Sequence, residues 1–465
     1  MTGVPGVWAR GRRGLTAALV VAVVLVGSET LAVATVMPAV ADDLGLGGYG
    51  LAFSLFSVGS VVGVLLAGPA TDRRGPLLPF VLGMVLFAAG LAVGTAAPSM
   101  AVLVAGRALQ GLGAGAIPAV SYACIGRAYP EAVRPRMLAV LSTAWVLPGM
   151  VGPGLAGLVA AQAGWRWVFG GLLPLVAMAT VAAIRPLGRL SGPTVPGAAG
   201  SAVPVPALPV LDAVRFAVGV GFLVAAVGRV RPTVPSTLAV ALGFVVAGIV
   251  CAAGPSRRLL PAGWWSARPG IAAVVVSRAL VAYAFIAADA YVPLLLTEVR
   301  DRSLTFASLA VSLAALVWSA GSWLAERTVA RVGPSRLAAA GAAVVAVGVL
   351  LQVTLAMTAV PVVVALGGVA LAAAGMGLAF TPLAMLVLDH PDEAGPGVAS
   401  SWMSLFEQLG FACGPLLGGA LVAAASDDRG LGRGLGVSFV VAASFAVVAA
   451  LLRGRLSPPA RVPGP

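Results

Sequence analysis

Two charged side chains of opposite sign lie inside apolar stretches of this sequence. Glu29 lies within residues 15–40, and Arg107 lies within residues 100–123. Each stretch is long enough to cross a bilayer, which takes roughly 20 apolar residues. If the two helices run in opposite directions, a rise of about 1.5 Å per residue places both charges at a similar depth in the outer half of the membrane. We therefore predict that Glu29 and Arg107 are partners.

An ionised carboxylate at that depth has few stable states. Left unpaired, it costs at least ~2.5 kcal/mol, so it must bind a proton, pair with a cation or face water. The fixed charge of Arg107 would favour the ionised form of Glu29 when the two are close, and separation would let Glu29 take up a proton. This chemistry suits a proton-linked transporter. The structural alternatives are a glutamate buried against a neighbouring helix and an arginine that only hydrogen-bonds backbone carbonyls.

Two further acids are candidates for proton coupling. Glu407 lies near the middle of the apolar stretch 397–424, where transporter sites are found. Asp289 follows Arg278 by eleven residues, about three helical turns, so the two share a face of their helix. The alternatives are a structural acid for Glu407 and a solvated acid at a helix end for Asp289.

Composition places most of the chain in lipid. The 465 residues are 60% hydrophobic and 10% charged, whereas soluble domains are about 25% charged. The net charge of +13 comes from arginines at helix ends rather than in one patch, which argues against a nucleic-acid partner. The three cysteines are far apart and the single histidine, His390, is expected in a solvated loop, so we expect neither a metal site nor a cofactor.

Apolar runs separated by charged or Gly/Pro-rich loops predict fourteen membrane spans. If 211–228, which begins with two charges, and 236–253, which is short, do not cross, twelve remain. The predicted spans are 15–40, 50–70, 77–97, 100–123, 137–160, 166–185, 211–228, 236–253, 270–296, 304–325, 337–358, 361–388, 397–424 and 434–452.

Arginine-rich loops alternate with arginine-poor ones along the chain. By the positive-inside rule, this predicts a multi-pass protein of the cell inner (plasma) membrane with both termini cytoplasmic. The first span is too long for a signal peptide and is expected to be retained. The predicted organisation is a cytoplasmic tail 1–14, a six-helix bundle 15–185, a Pro/Gly-rich linker 186–210, two extra transmembrane helices 211–253, a cytoplasmic loop 254–269, a six-helix bundle 270–452 and a cytoplasmic tail 453–465.

The loop after the second span carries a patterned motif. Gly68 would let helices approach, Asp72 could pair with a cation or with a helix N-terminus, and Gly75 would make the turn. Arg73 follows Asp72 directly. Together these residues could form a cytoplasmic latch that stabilises one access state, and the alternative is an ordinary charged loop.

Two spans combine glycine with polar or kinking residues. In the fourth, Arg107, Gln110, Gly111 and Gly113 follow one another at spacings that let helices pack closely. In the fifth, Gly152, Pro153 and Gly157 predict a kink and a close helix contact, and Gly414–Gly419 repeats the pattern in the thirteenth.

These motifs resemble those of the major facilitator superfamily. The loop is similar to G-x-L-A-D-R-x-G-R-K, the fourth span to R-x-x-Q-G-x-G-A, and the fifth to the antiporter motif G-P-x-x-G-G. The stretch Trp165–Phe169 is similar to the W-R-W-x-F of fourteen-helix drug:proton antiporters, although Trp165 and Trp167 could equally be interfacial anchors. The resemblance implies an all-α membrane protein with the major facilitator fold, two six-helix bundles plus two extra central transmembrane helices.

The resemblance also implies a function. We expect a proton-coupled secondary transporter, not an enzyme, that exports lipophilic or amphipathic small molecules by alternating access as a monomer. Trp145, Trp318, Phe285 and Tyr283 could line its cavity or pack in the core. The alternatives are an importer or exporter of a specific metabolite or lipid on the same fold, and a membrane receptor or enzyme. The chain lacks a P-loop motif, which argues against an ATP-driven pump.

Overall fold

The protein is built from α-helices joined by short turns. The structure, a computed structural model, describes residues 6–45, 49–190, 209–227, 235–389, 395–424 and 428–456. The helices are α1 Arg13–Leu44, α2 Tyr49–Arg74, α3 Leu77–Thr95, α4 Met100–Ala128, α5 Arg134–Ala144, α6 Val146–Ala163, α7 Arg166–Gly170, α8 Leu173–Gly188, α9 Val210–Val227, α10 Pro235–Leu259, α11 Ile271–Asp289, α12 Val292–Leu294, α13 Leu304–Val332, α14 Pro334–Gln352, α15 Val362–Leu388, α16 Pro396–Ala424 and α17 Asp428–Leu451.

Each of the fourteen predicted spans coincides with one helix or with a broken pair of helices. Within the described residues, eleven helices are long and apolar enough to cross a membrane, or twelve if a bent pair counts as one span. Ala239–Leu259, in one of the two predicted central spans, is among them. The count of fourteen crossings stays a prediction. His390 and most of the predicted linker, residues 191–208, lie outside the described residues.

The contacts divide the chain into two compact units. Unit 1 comprises Met1–Gly221 and Ala394–Ser404, and unit 2 comprises Phe222–Glu393 and Leu405–Pro465. In unit 1, α4 packs closely against α2 and α3. A methyl group on Gly111 would meet the backbone of Phe56, and one on Gly113 would meet the backbone of Gly83 and Phe87. The close packing predicted for the helix-4 glycines is therefore confirmed, and it is backbone against backbone.

Unit 2 uses the same device between different helices. Its glycines on α15 pack against α13 and α14: a methyl group on Gly377 would meet the backbone of Trp318 and Ser322, and one on Gly375 would meet that of Gly341 and Val345. Close approach of helices in lipid relies on such small residues, because apolar side chains gain little by leaving a solvent that is itself apolar.

The predicted fifth span, 137–160, is not one continuous helix. It breaks at Trp145 into α5 and α6, and the axis bends by 40° between Glu131–Gly149 and Gly154–Ala163. This bend is the kink predicted for the motif. Its physical cause is that the amide nitrogen of proline cannot donate to the preceding turn. The predicted close contact is absent: among the described residues, a methyl group on Gly157 would meet nothing within 4 Å, and one on Gly152 would meet only the Ser28 carbonyl, at 3.9 Å.

Two other predicted spans are also broken. Residues 166–185 form α7 and α8, and α8 runs on to Gly188, into the predicted linker. Within the span 270–296, α11 ends at Asp289, and the chain continues as α12 and then as a π-helical turn over Leu295–Val299. Such breaks are common in helices that line functional sites.

The glycines of α4 give a direct test of the packing. Gly113→Ala should destabilise the protein by about 1–3 kcal/mol, since the new methyl group overlaps the backbone of α3. The melting temperature in detergent reports this, measured in a Cys251→Ala, Cys413→Ala background with a thiol-reactive dye that then detects Cys124 as it becomes exposed. Cys124 is a buried free thiol in the folded protein.

Gly154→Ala is the matched control, because a methyl group there meets nothing within 4 Å among the described residues. Alanine also favours helix over glycine by up to about 1 kcal/mol, so this variant should melt at or above the wild-type temperature. Equal melting temperatures for the two variants would contradict the packing described above.

Candidate functional site

The predicted partnership of Glu29 and Arg107 is present in unit 1. Arg107 Nη1 donates to Glu29 Oε1, and the two side chains are 2% and 1% exposed. Arg107 Nη1 also donates to Gln110 Oε1 at 2.7 Å, and its guanidinium lies 4.2 Å from the centre of the Phe56 ring. The pair is thus almost sealed, and the arginine has two partners besides the glutamate.

This polar cluster is only half satisfied. Within the described residues, Glu29 Oε2, Arg107 Nε and Gln110 Nε2 are buried and have no hydrogen-bond partner. Buried polar atoms are nearly always paired, so each of these three atoms can still take a hydrogen bond. Glu29 Oε2 is an acceptor to which a proton can add without displacing an existing bond.

The kinked α5–α6 pair packs beside this site. A methyl group on Gly27 would meet the ring of Trp145 at 2.9 Å and Pro148 at 3.3 Å, and Gly152 faces the carbonyl of Ser28. The bend predicted from the Gly/Pro motif therefore lies against the segment of α1 that carries Glu29. Trp145 covers α1 on one side and remains 46% exposed.

Unit 2 holds a second buried ion pair, which the sequence reasoning did not assemble. Arg278 donates through Nε and Nη2 to Glu407 Oε2, at 3.0 and 2.8 Å. Its Nη1 donates to the Phe380 carbonyl at 2.9 Å, and the guanidinium lies 4.0 Å from the centre of the Phe380 ring. Arg278 is 2% exposed, whereas Glu407 is 21% exposed. Glu407 was singled out by its depth, but no periodic signal joins it to a residue on another helix.

Asp289 lies apart from that pair, at the C-terminal end of α11. Its Oδ1 is buried and has no hydrogen-bond partner among the described residues. Two residues later, the Tyr291 hydroxyl donates to the Pro415 carbonyl at 2.6 Å. A methyl group on Gly418 would overlap the Tyr291 ring, so the repeated Gly/Pro motif of α16 accommodates this side chain.

The aromatic residues considered as cavity candidates lie in three different environments. Trp318 and Phe285 contact each other with ring centres 5.4 Å apart, and Phe285 is buried. Tyr283 contacts Phe445 instead, at 4.5 Å. Trp145 belongs to unit 1 and packs on α1, as described above.

The loop motif works through a helix N-terminus, one of the two partners predicted for Asp72. The Asp72 carboxylate accepts from the backbone N–H groups of Gly397 and Val398, at 2.8 and 2.9 Å, in the first turn of α16. The absence of a side chain at Gly68 lets Ser401 approach and donate to the Val64 carbonyl at 2.7 Å.

The other two motif residues, Gly75 and Arg73, have local roles. Gly75 has a φ of 77°, as its predicted place in the turn requires. Gly333, in the turn between α13 and α14, has a φ of 86°. Arg73, which is part-exposed, lies in the last turn of α2, where a cation suits the helix dipole.

A further polar cluster at the end of α1 was missed. Asp43 Oδ2 accepts from Arg166 Nη1 at 2.7 Å and from Trp165 Nε1 at 3.1 Å, and Arg166 Nη2 donates to the Ala97 carbonyl at 3.1 Å. Trp165 is 6% exposed, whereas Trp167 is 60% exposed. The position of both at the membrane interface stays a prediction. Nothing in the sequence indicates that Asp43 pairs with Arg166, which lies 123 positions away.

The family model of the Major Facilitator Superfamily matches residues 18–411. The chain belongs to the Major Facilitator Superfamily. The predicted all-α major facilitator fold is therefore confirmed, as is a multi-pass membrane protein of a transporter family. In the described part of this superfamily member, no three His, Cys, Asp or Glu side chains come together as metal ligands.

Relatives of known name extend over most of the chain. It is 29% identical over 435 residues to the probable multidrug-efflux transporter MT1670 of Mycobacterium tuberculosis (strain CDC 1551 / Oshkosh), covering 91% of this chain and 90% of that protein. It is 29% identical over 430 residues to the uncharacterized MFS-type transporter MT1926 of the same strain, covering 89% and 60%.

Solved structures agree with the fold. The crystal structure of the human organic anion transporter MFSD10 (TETRAN) matches with a TM-score of 0.68 at 16% identity, covering 95% of this chain and 99% of that one. The proton:xylose symporter XylE matches with a TM-score of 0.64 at 15% identity, covering 95% and 94%. At such identities the likeness establishes the fold alone.

The Asp43 cluster predicts a pH dependence of stability. Hydrogen bonds from Arg166 and Trp165 hold the pKa of Asp43 below its usual value. Its contribution to stability is therefore present above the unfolded pKa of about 3.9, and is lost as the pH falls through the lower folded pKa. Between about pH 5 and about pH 3, the melting temperature of the wild type should fall more steeply than that of Asp43→Asn.

Asp42→Asn is the control for this measurement, because Asp42 is the neighbouring exposed acid. It should keep the wild-type slope of melting temperature against pH. If Asp43→Asn also keeps that slope, the hydrogen bonds to Asp43 do not contribute to stability in the folded protein.

The bond between Asp72 and α16 gives a second prediction. Asp72→Ala should lower the free energy of unfolding by about 1–2 kcal/mol, because two N–H groups of the first turn lose their acceptors. Asp72→Asn, which keeps one acceptor oxygen, should lose less. Thermal unfolding in detergent measures both. Glu131→Ala, which removes an exposed acid, is the control, and an Asp72→Ala variant that melts with it would contradict the capping role.

Proposed function

We propose that this transporter exports lipophilic or amphipathic small molecules in exchange for protons, by alternating access between two six-helix bundles. The observation that carries the proposal is the sealed and half-satisfied pair of Glu29 and Arg107. A carboxylate in the middle of a membrane helix is costly, so such residues are rare and usually functional, and a carboxylate is chemically suited to exchange a proton.

The contacts of Arg107 support such an exchange. When Glu29 is ionised, the pair is neutral as a whole. When Glu29 is protonated, Arg107 keeps the oxygen of Gln110 and the face of the Phe56 ring. A buried charge left without any partner would cost about 3–5 kcal/mol, and these two contacts reduce that cost. The proton can therefore come and go without leaving the arginine unpartnered.

Other observations support the proposed direction of transport and the proposed class of cargo. The relative that aligns with 91% of this chain is named a probable multidrug-efflux transporter. The kinked motif of Gly152, Pro153 and Gly157 resembles that of antiporters. Its Gly152 faces the carbonyl of Ser28, the residue before Glu29. We further propose that Glu407 and Asp289 are additional sites at which cargo or protons act, since each is an acid inside the membrane.

The remaining features of the proposal follow from charge and packing. The loop formed by Gly68, Asp72, Arg73 and Gly75 would act as a cytoplasmic latch, because the carboxylate holds the first turn of α16 by both oxygens. The positive-inside rule supports an orientation with both termini cytoplasmic, and we propose the plasma (inner) membrane as the location. We propose fourteen crossings, the two extra helices being α9 and α10, and a monomer.

The test is transport driven by a pH gradient in inverted membrane vesicles. With an acidic lumen, wild-type vesicles should accumulate lipophilic dyes, because the cytoplasmic face now points outward. Glu29→Gln removes the group that carries the proton and should reduce this accumulation to the level of vesicles without the protein. Normal expression and an unchanged melting temperature must accompany the loss.

Glu298→Gln is the matched control, since Glu298 is an exposed acid near the end of the α11–α12 segment. It should transport as the wild type does. Accumulation by Glu29→Gln at the wild-type rate would refute the coupling role of Glu29. Accumulation in right-side-out vesicles with an acidic exterior would instead indicate an importer.

A further inference from the structure

The connection between α10 and α11 in unit 2 presents an exposed tryptophan among arginines. Trp265, in the middle of this connection, is 80% exposed. The arginines of this connection and of the turn that follows α17 are all exposed: Arg257, Arg258, Arg268, Arg453 and Arg455. We infer that Trp265, Arg268, Arg453 and Arg455, together called the Trp265 patch, bind the headgroup of an anionic phospholipid in the adjacent membrane leaflet.

Hydrogen bonds bring the two segments of the patch together. Arg455 Nη1 donates to the carbonyls of Ser266 and Ala267, at 2.9 and 3.4 Å. The backbone N–H of Gly270 donates to the Arg455 carbonyl at 3.0 Å. Arg453 lies two residues before Arg455 in the same 3₁₀ turn. The arginines that follow α17 therefore lie beside the connection that carries Trp265.

The connection itself has a defined conformation. The backbone N–H of Arg268 donates to the Gly263 carbonyl at 3.1 Å, and a methyl group on Gly263 would meet the Arg268 side chain at 2.8 Å. The Trp264 ring packs edge-on against the buried Phe406, with ring centres 6.0 Å apart. Because Trp264 is packed inward, the next side chain, Trp265, is directed outward.

The position of the patch along the chain places it at a membrane surface. α11 begins at Ile271, six residues after Trp265, and is apolar enough to start a membrane span. The polar headgroup layer extends about 5–8 Å beyond each side of the hydrocarbon core. Tryptophan side chains are enriched in this layer, since the ring is apolar and its N–H is polar. The bilayer is therefore the partner within reach of the Trp265 ring.

The charge of the patch selects the kind of lipid. Residues 251–270 and 451–465 contain no aspartate or glutamate, so neither segment compensates its own arginines. A guanidinium group binds phosphate oxygens through paired N–H donors. Arginines near an anionic leaflet also gain from its negative surface potential, which a zwitterionic headgroup does not provide. The patch therefore suits phosphatidylglycerol better than phosphatidylcholine.

The test is lipid binding to the purified full-length protein in dodecyl maltoside at low salt, measured by native mass spectrometry. The wild type should bind phosphatidylglycerol more tightly than phosphatidylcholine with the same acyl chains. Replacement of Arg268 and Arg453 together by glutamine should reduce this preference by about twenty-fivefold, at about fivefold for each arginine. Replacement of the same two residues by lysine keeps both charges and should preserve most of the preference.

The double variant Arg302→Gln, Arg433→Gln is the matched control, because it removes two exposed arginines of unit 2 that lie outside the patch. Arg433 precedes Arg453 by 20 residues, which is about 30 Å along α17. The control should keep the wild-type preference. If Arg268→Gln, Arg453→Gln does not fold, Arg453→Gln alone should lose about fivefold. Equal losses in the patch variant and the control, or equal binding of both lipids by the wild type, would disprove the lipid site.

Brominated lipids locate the bound headgroup, because bromine quenches the fluorescence of a nearby indole. Phosphatidylglycerol with brominated acyl chains should quench the wild type more than brominated phosphatidylcholine does, and Trp265→Phe should reduce this difference. An unchanged difference in Trp265→Phe would place the lipid elsewhere and overturn the assignment. Binding of polyglutamate that depends on Arg268 and Arg453, without any preference between the lipids, would indicate an acidic protein partner and would also overturn it.

Discussion

A full charge inside hydrocarbon must be compensated at short range, and the buried arginines of this protein meet that constraint in the same way. In each unit the guanidinium pairs with a glutamate from another helix and lies over the ring of a phenylalanine from a third. The three components are Arg107, Glu29 and Phe56 in unit 1, and Arg278, Glu407 and Phe380 in unit 2. The ring matters because its face is the one apolar surface that attracts a cation, so it compensates charge without adding a second titratable group.

Glycine makes the first of these clusters possible. Gly111 lies one helical turn after Arg107, and a methyl group at that position would overlap the backbone of Phe56. The backbones of α2 and α4 therefore approach closely at the level of the ion pair, and the Phe56 ring is brought within 4.2 Å of the guanidinium. The glycines of the helix-4 motif and its arginine are thus parts of one arrangement. Substitution at the glycine would move the ring as well as the helix.

The sequence predicts depth along a helix well and direction around it poorly. Because the rise per residue is constant, Glu29 and Arg107 could be paired by depth alone. Asp72 could be assigned to a helix N-terminus or a cation, because a carboxylate is stabilised by either. The partner of Arg278 could not be predicted, because the choice between Asp289 and Glu407 depends on how α11 and α16 face each other. The breaks at Trp145 and after Asp289, and the burial of Trp165 against Asp43, likewise depend on contacts between distant segments that no periodicity records.

The extra contacts distinguish the two members of each ion pair. Each arginine has partners that are not ionisable: Gln110 and the Phe56 ring for Arg107, and the carbonyl and ring of Phe380 for Arg278. Each glutamate has an oxygen to which no hydrogen bond is described. Loss of the ion pair would thus leave the arginine partly compensated and the carboxylate free to bind something else. The arginines are therefore the fixed members of the two pairs, and the glutamates are the members that can bind another group: Glu29 is almost fully buried, whereas Glu407 is part-exposed.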